Sequence, residues 1–79
     1  MNKRLATILA DVFELKESEI HSDLKKADVG TWDSLKQMDL VLSLEKEYGI
    51  AMEITDIVRM LSVAGIEDVL RGKGVDLGD

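Results

Sequence analysis

Apolar residues recur along this chain with helical spacing. Leu5, Ile8, Leu9, Val12 and Phe13 follow the i, i+3, i+4, i+7, i+8 pattern of one buried face and predict a helix from about Asn2 to Leu15. A second pattern runs from Asp33 to Tyr48 and stops at Gly49, a residue suited to a helix C-terminus. The long connection from Lys16 to Trp32 carries Ile20, Leu24, Val29 and Trp32, which are expected to pin it against the helices. In a compact domain, a connection of that length is more often functional than idle. After Gly49, the residues Ile50, Met52 and Ile54 alternate with polar ones. With no partner strand in view, this stretch reads as an extended connector. A short helix is predicted near Asp56 to Leu61. Ser62 then caps a last helix bearing Val63, Ile66, Val69 and Leu70 and ending at Gly72. The expected fold is all-α: a small four-helix bundle of three main helices and one short one, with a long loop between the first two. It occupies residues 1–72, and the glycine-rich stretch 73–79 is expected to be a flexible tail.

Composition narrows the picture. Hydrophobic residues make up 46% of the chain and aromatics 4%, so the core must be aliphatic. Sixteen acidic residues against ten basic ones give a net charge of -6. Nucleic-acid binding needs clustered cations to displace counterions, so that class is excluded; basic protein partners suit this surface. The chain has no cysteine, which rules out disulfides, thiolate metal sites and a native thiol nucleophile. Lys3 and Arg4 precede an apolar run as in a signal peptide, but the run ends at Asp11 without a cleavage pattern. No segment is long enough to span a membrane. A soluble, cytoplasmic monomer is the expectation.

The second helix carries more apolar surface than one core requires. Leu40, Val41, Leu44 and Tyr48 form one arc, while Leu35, Met38 and Leu42 form another, flanked by Asp39 and Glu45. The second arc is either more core around a central helix or a strip on which partners dock. Ser34, at the head of this helix, also has two readings. It could cap the helix, with Gln37 completing an S-x-x-Q capping box. Alternatively Asp33 caps, leaving the Ser34 hydroxyl in the first turn. A phosphodiester there would meet unpaired N–H donors and the positive end of the helix dipole.

The sequence Asp33-Ser34-Leu35, opening a Leu- and Glu-rich helix at mid-chain of a small acidic domain, resembles the signature of the acyl carrier protein family. The resemblance extends from about Leu5 to Leu70. It implies that a phosphopantetheinyl transferase moves a 4'-phosphopantetheine arm from coenzyme A onto Ser34, within the attachment motif Asp33, Ser34 and Leu35. The arm's thiol then carries acyl groups as thioesters between acyl-loading and acyl-processing enzymes, supplying the nucleophile the chain lacks. It also implies that Asp33, Leu35, Met38, Asp39, Leu42 and Glu45 meet the basic docking surfaces of those partners. An aminoacyl or peptidyl carrier and an unmodified helical adaptor remain alternatives. Lys36 and Lys46 stand where fatty-acid carriers usually bear acids, and Trp32 where they tend to have a small residue, which points to a specialised carrier.

No Ser/His/Asp constellation is present, so no catalytic residues are expected. His21, with Glu19, Asp23 and Asp28 nearby, lacks metal-ligand spacing and reads as solvated loop, so no metal site is expected. The pairs Glu45/Glu47 and Glu67/Asp68 read as wet helix surface. Met52, Ile57, Met60 and Leu44 could line a space for an acyl chain, but plain core explains them as well.

Overall fold

A computed structural model describes residues 1–78. Four α-helices are present among them: α1 (Lys3–Phe13), α2 (Ser34–Tyr48), α3 (Ile54–Ile57) and α4 (Val63–Gly72). The fold is therefore the all-α bundle expected. Each main helix begins on a side-chain cap. Asn2 accepts from the Leu5 N–H, Asp33 from the Lys36 N–H and Ser62 from the Gly65 N–H, each satisfying one orphan donor. α1 stops at Glu14, which takes a left-handed conformation (φ 58°), and α2 stops at Gly49 (φ 64°).

The core is the predicted one. Leu5, Leu9 and Phe13 of α1, Leu40 and Leu44 of α2, and Val63, Ile66 and Leu70 of α4 are fully enclosed together with Met60. The long loop is anchored as its apolar spacing implied: Ile20, Val29 and Trp32 are buried, and the Trp32 ring stacks on Phe13 with centroids 4.2 Å apart. Two short 3-10 turns, Glu17–Glu19 and Lys26–Asp28, satisfy backbone groups along it.

Three features differ from the expectation. First, α3 starts at Ile54, two residues earlier than predicted, and is one turn long. Asp56 fixes its start, accepting from the Glu53 N–H (2.9 Å) and from Lys73 Nζ (2.8 Å). Those two bonds hold the Asp56 carboxyl below its ordinary range, the backbone N–H being the larger cause. Second, the extended pairing in this chain lies elsewhere. Lys25 bridges Ser62 in antiparallel fashion, with the Lys26 N–H on the Leu61 carbonyl and the Val63 N–H on the Leu24 carbonyl, both at 2.9 Å. This clips the long loop to the α3–α4 junction. Third, Glu67 is 7% exposed rather than wet, and its Oε1 accepts from the Ser22 hydroxyl at 2.7 Å. Asp68 is exposed, as expected.

Beyond α4, in the described part of the predicted tail, Val75 packs against the core. Leu77 is 3% exposed, and its carbonyl accepts from Asn2 Nδ2 at 3.1 Å. Asp79 lies outside the described residues.

Tyr48 provides a test of the packing near the end of α2. Its hydroxyl is buried without a hydrogen-bond partner among the described residues, and burial pushes its ionisation upward. The Arg4 guanidinium sits 4.9 Å from the ring centroid while bonding the Glu47 side chain and carbonyl. Tyr48→Phe is expected to stabilise the protein by about 0.5–1 kcal/mol, because it removes a desolvated group that gains no bond. A rise of several degrees in Tm by circular dichroism would show this. A fall would mean that the hydroxyl has a partner in solution.

Candidate functional site

The loop delivers the chain to α2 through Trp32, whose burial against Phe13 fixes the approach. Asp33 is extended (φ -110°). Its Oδ1 accepts from the Lys36 N–H and its carbonyl from the Gln37 N–H, both at 2.9 Å. Asp33 is thus the cap, and Ser34 is the first helical residue. The Ser34 hydroxyl is exposed and has no hydrogen bond among the described residues, and the N–H groups of Ser34 and Leu35 have no protein acceptor there. Two unpaired donors and a free hydroxyl therefore meet at the positive end of a four-turn helix.

Gln37 is no part of a capping box. It is buried, and its Oε1 accepts from Trp32 Nε1 at 2.6 Å. Its Nε2 donates to the carbonyls of Ile57 (3.3 Å) and Met60 (3.1 Å) at the end of α3. One amide thus ties the loop, the start of α2 and α3 together. Between these pieces lies an open, mainly apolar groove of about 340 Å³, lined by Lys26, Ser34, Gln37, Met38, Ile57, Val58 and Leu61.

The two arcs of α2 separate cleanly. Leu40, Val41 and Leu44 are core, whereas Leu35, Met38 and Leu42 are 78%, 50% and 61% exposed. Asp39 is exposed beside them. Glu45 is half-buried and commits one oxygen to the Met52 N–H (2.8 Å), so it also anchors the connector after α2. Lys36 Nζ pairs with Glu14 Oε2 at 3.1 Å, which raises its pKa and offsets part of its charge beside Ser34. Of the predicted site residues, Asp33, Ser34, Leu35, Met38, Asp39 and Leu42 thus share one exposed face of α2, and Glu45 stands at its edge.

Sequence reasoning missed the exposed apolar side chains of α3 and the turn that follows it. Ile54, Val58 and Leu61 are all exposed apolar side chains. Their i, i+4, i+7 spacing was a helical signal, hidden because Ile54 also continued the alternation of the connector.

The donor set suits a phosphate diester on Ser34: a free hydroxyl as attachment atom, two unpaired amides, a helix N-terminus and a lysine across the groove. Among the described residues, no cluster of three or more His, Cys, Asp or Glu side chains is arranged to hold a metal ion. No helix is long and apolar enough to cross a membrane.

Comparison with known proteins identifies the family. Residues 3–70 match the phosphopantetheine attachment site family. Over 77 residues, 98% of this chain and 85% of the relative, the chain is 30% identical to polyketide-8 synthase acyl carrier protein 2 of Streptomyces avermitilis. Members of the acyl carrier family are modified by a phosphopantetheinyl transferase and serve biosynthetic enzymes; they are carriers, not catalysts. The chain belongs to this family: it is a carrier protein that bears a 4'-phosphopantetheine arm.

Proposed function

We propose that Ser34 carries the arm and that the protein is a cytoplasmic, monomeric carrier of polyketide-type acyl chains. The observation that carries the Ser34 assignment is the geometry at the head of α2, where Asp33 does the capping and the serine hydroxyl stands exposed beside two unpaired amides. Transfer joins Ser34 Oγ to the phosphorus of the arm and breaks the pyrophosphate of coenzyme A. Adenosine bisphosphate leaves, and the hydroxyl proton passes to the transferase. When bound, the arm supplies a thiol that holds acyl groups as thioesters. The chain's own residues orient its root and present it to partners. The working domain is residues 1–72, against which Val75 and Leu77 of the following stretch pack.

The cargo reading is supported by the polyketide synthase relative and by Lys36, Lys46 and Trp32, which depart from the fatty-acid pattern. The test of Ser34 is intact mass after incubation with coenzyme A, magnesium and a broad-specificity transferase. The wild-type chain is expected to gain one phosphopantetheine, and Ser34→Ala none. An increment that persists in Ser34→Ala would place the arm elsewhere.

Partner enzymes are proposed to dock on the exposed strip of Leu35, Met38 and Leu42, with basic residues facing Asp33, Asp39 and the rim carboxylate Glu45. Met38→Glu is expected to change stability by no more than about 0.5 kcal/mol, as a substitution on an exposed face. It should lower kcat/KM of a partner by roughly tenfold, because an apolar pocket would have to accept a charge (about 1.4 kcal/mol). Unfolding of the variant, or undiminished transfer, would rule out docking through Met38.

A further inference from the structure

Lys26 is the one cation among the residues that line the groove beside Ser34, and no carboxylate lines it. Three of the other nine Lys and Arg side chains are paired: Lys36 with Glu14, Lys73 with Asp56 and Arg4 with Glu47. The Lys26 ammonium has no ion pair or hydrogen bond among the described residues. Its backbone, by contrast, is held on both sides. The Lys26 N–H bonds the Leu61 carbonyl at 2.9 Å, and its carbonyl accepts from the Val29 N–H at 3.2 Å. Lys26 is half-buried and lines the groove, as a lysine does when its apolar stem is covered and its charge stays in water. The chain has a net charge of -6, which disfavours an added phosphodiester. At the mouth of this groove it meets two unpaired amides and an uncompensated lysine instead.

We propose that Lys26 is the cationic contact of the arm's phosphodiester, a positioning residue that aims the root of the arm over α3. The proposal rests on the reading of Ser34 as the attachment point. Because Lys26 is pinned to Leu61, a phosphate held by its ammonium lies on the α3 side of Ser34 and away from α1. Charge alone makes the contact, so a neutral side chain of similar length should lose it.

The test compares wild-type, Lys26→Gln and Lys46→Gln proteins, each modified to completion with excess transferase and verified by intact mass. Lys46 lies in the last turn of α2, about 18 Å along the helix from Ser34, and controls for the change in net charge. Two quantities are read on the holo proteins: the 31P resonance of the phosphodiester, and the difference in Tm between holo and apo forms. Lys26→Gln is expected to move the 31P resonance and to remove most of the rise in Tm that modification brings. Lys46→Gln should leave both near wild type. A 31P resonance and a Tm difference that are the same in Lys26→Gln as in wild type would overturn the role of Lys26 while leaving Ser34 as the attachment point. Failure of the wild-type chain to gain the arm at Ser34 would remove both readings together.

Discussion

Trp32→Ala is expected to cost about 3–5 kcal/mol, the range for removing a large buried aromatic side chain. The whole stability of a domain this size is only about 4–12 kcal/mol. The indole is 3% exposed, stacks on Phe13 and donates to Gln37 Oε1. Its loss therefore opens a cavity and strands a buried acceptor at once. The fall in Tm should be roughly 12 °C or more. Trp32→Phe separates the two contributions. It keeps an aromatic ring against Phe13 but loses the donor, and should fall between wild type and alanine. Urea unfolding followed by circular dichroism ranks the three proteins. If alanine proves as stable as wild type, Trp32 does not anchor the loop ahead of Ser34.

Gly65→Ala should also destabilise, by about 1–3 kcal/mol, as an overpacked contact does. Helix propensity alone gives the opposite sign, since alanine in a helix is favoured over glycine by about 1 kcal/mol. The steric effect wins because a Cβ on Gly65 would run into the carbonyl oxygen of Arg59. That atom belongs to the backbone and cannot rotate aside. Relief must come from moving the segment between α3 and α4, which carries one wall of the groove beside Ser34. The same unfolding measurement decides the sign: a more stable alanine variant would show that this approach is looser than described.

The parts of this fold that could be read from the sequence were those governed by short-range rules. Asp33 and Ser62 are cap residues by local chemistry, and both cap. Leu5 to Phe13 and Val63 to Leu70 declare their buried faces by period alone. The placement of Ser34 needed one further fact, which of two adjacent polar residues turns back to the backbone, and the structure gives that role to Asp33. What escaped the sequence were polar side chains with distant partners. Gln37 looked like a capping partner, yet it bonds carbonyls 20 and 23 residues away. Glu67 looked solvated, yet its hydrogen-bond donor is 45 residues away. Polarity predicts exposure only on average, and a partner that remote leaves no local trace. The groove itself was illegible for the same reason, because α3 and the turn after it are tied down by Gln37 and Lys73, both distant in sequence.

The hydrogen bond from Asn2 to the Leu77 carbonyl has a consequence for engineering. It sets residues 2 and 77 side by side, so a short linker suffices to join the chain there. A circular permutant closed there and opened at an exposed loop position keeps the whole bundle. Neighbouring modules fused at either end would leave the carrier from one shared corner, like two cords tied to the same post.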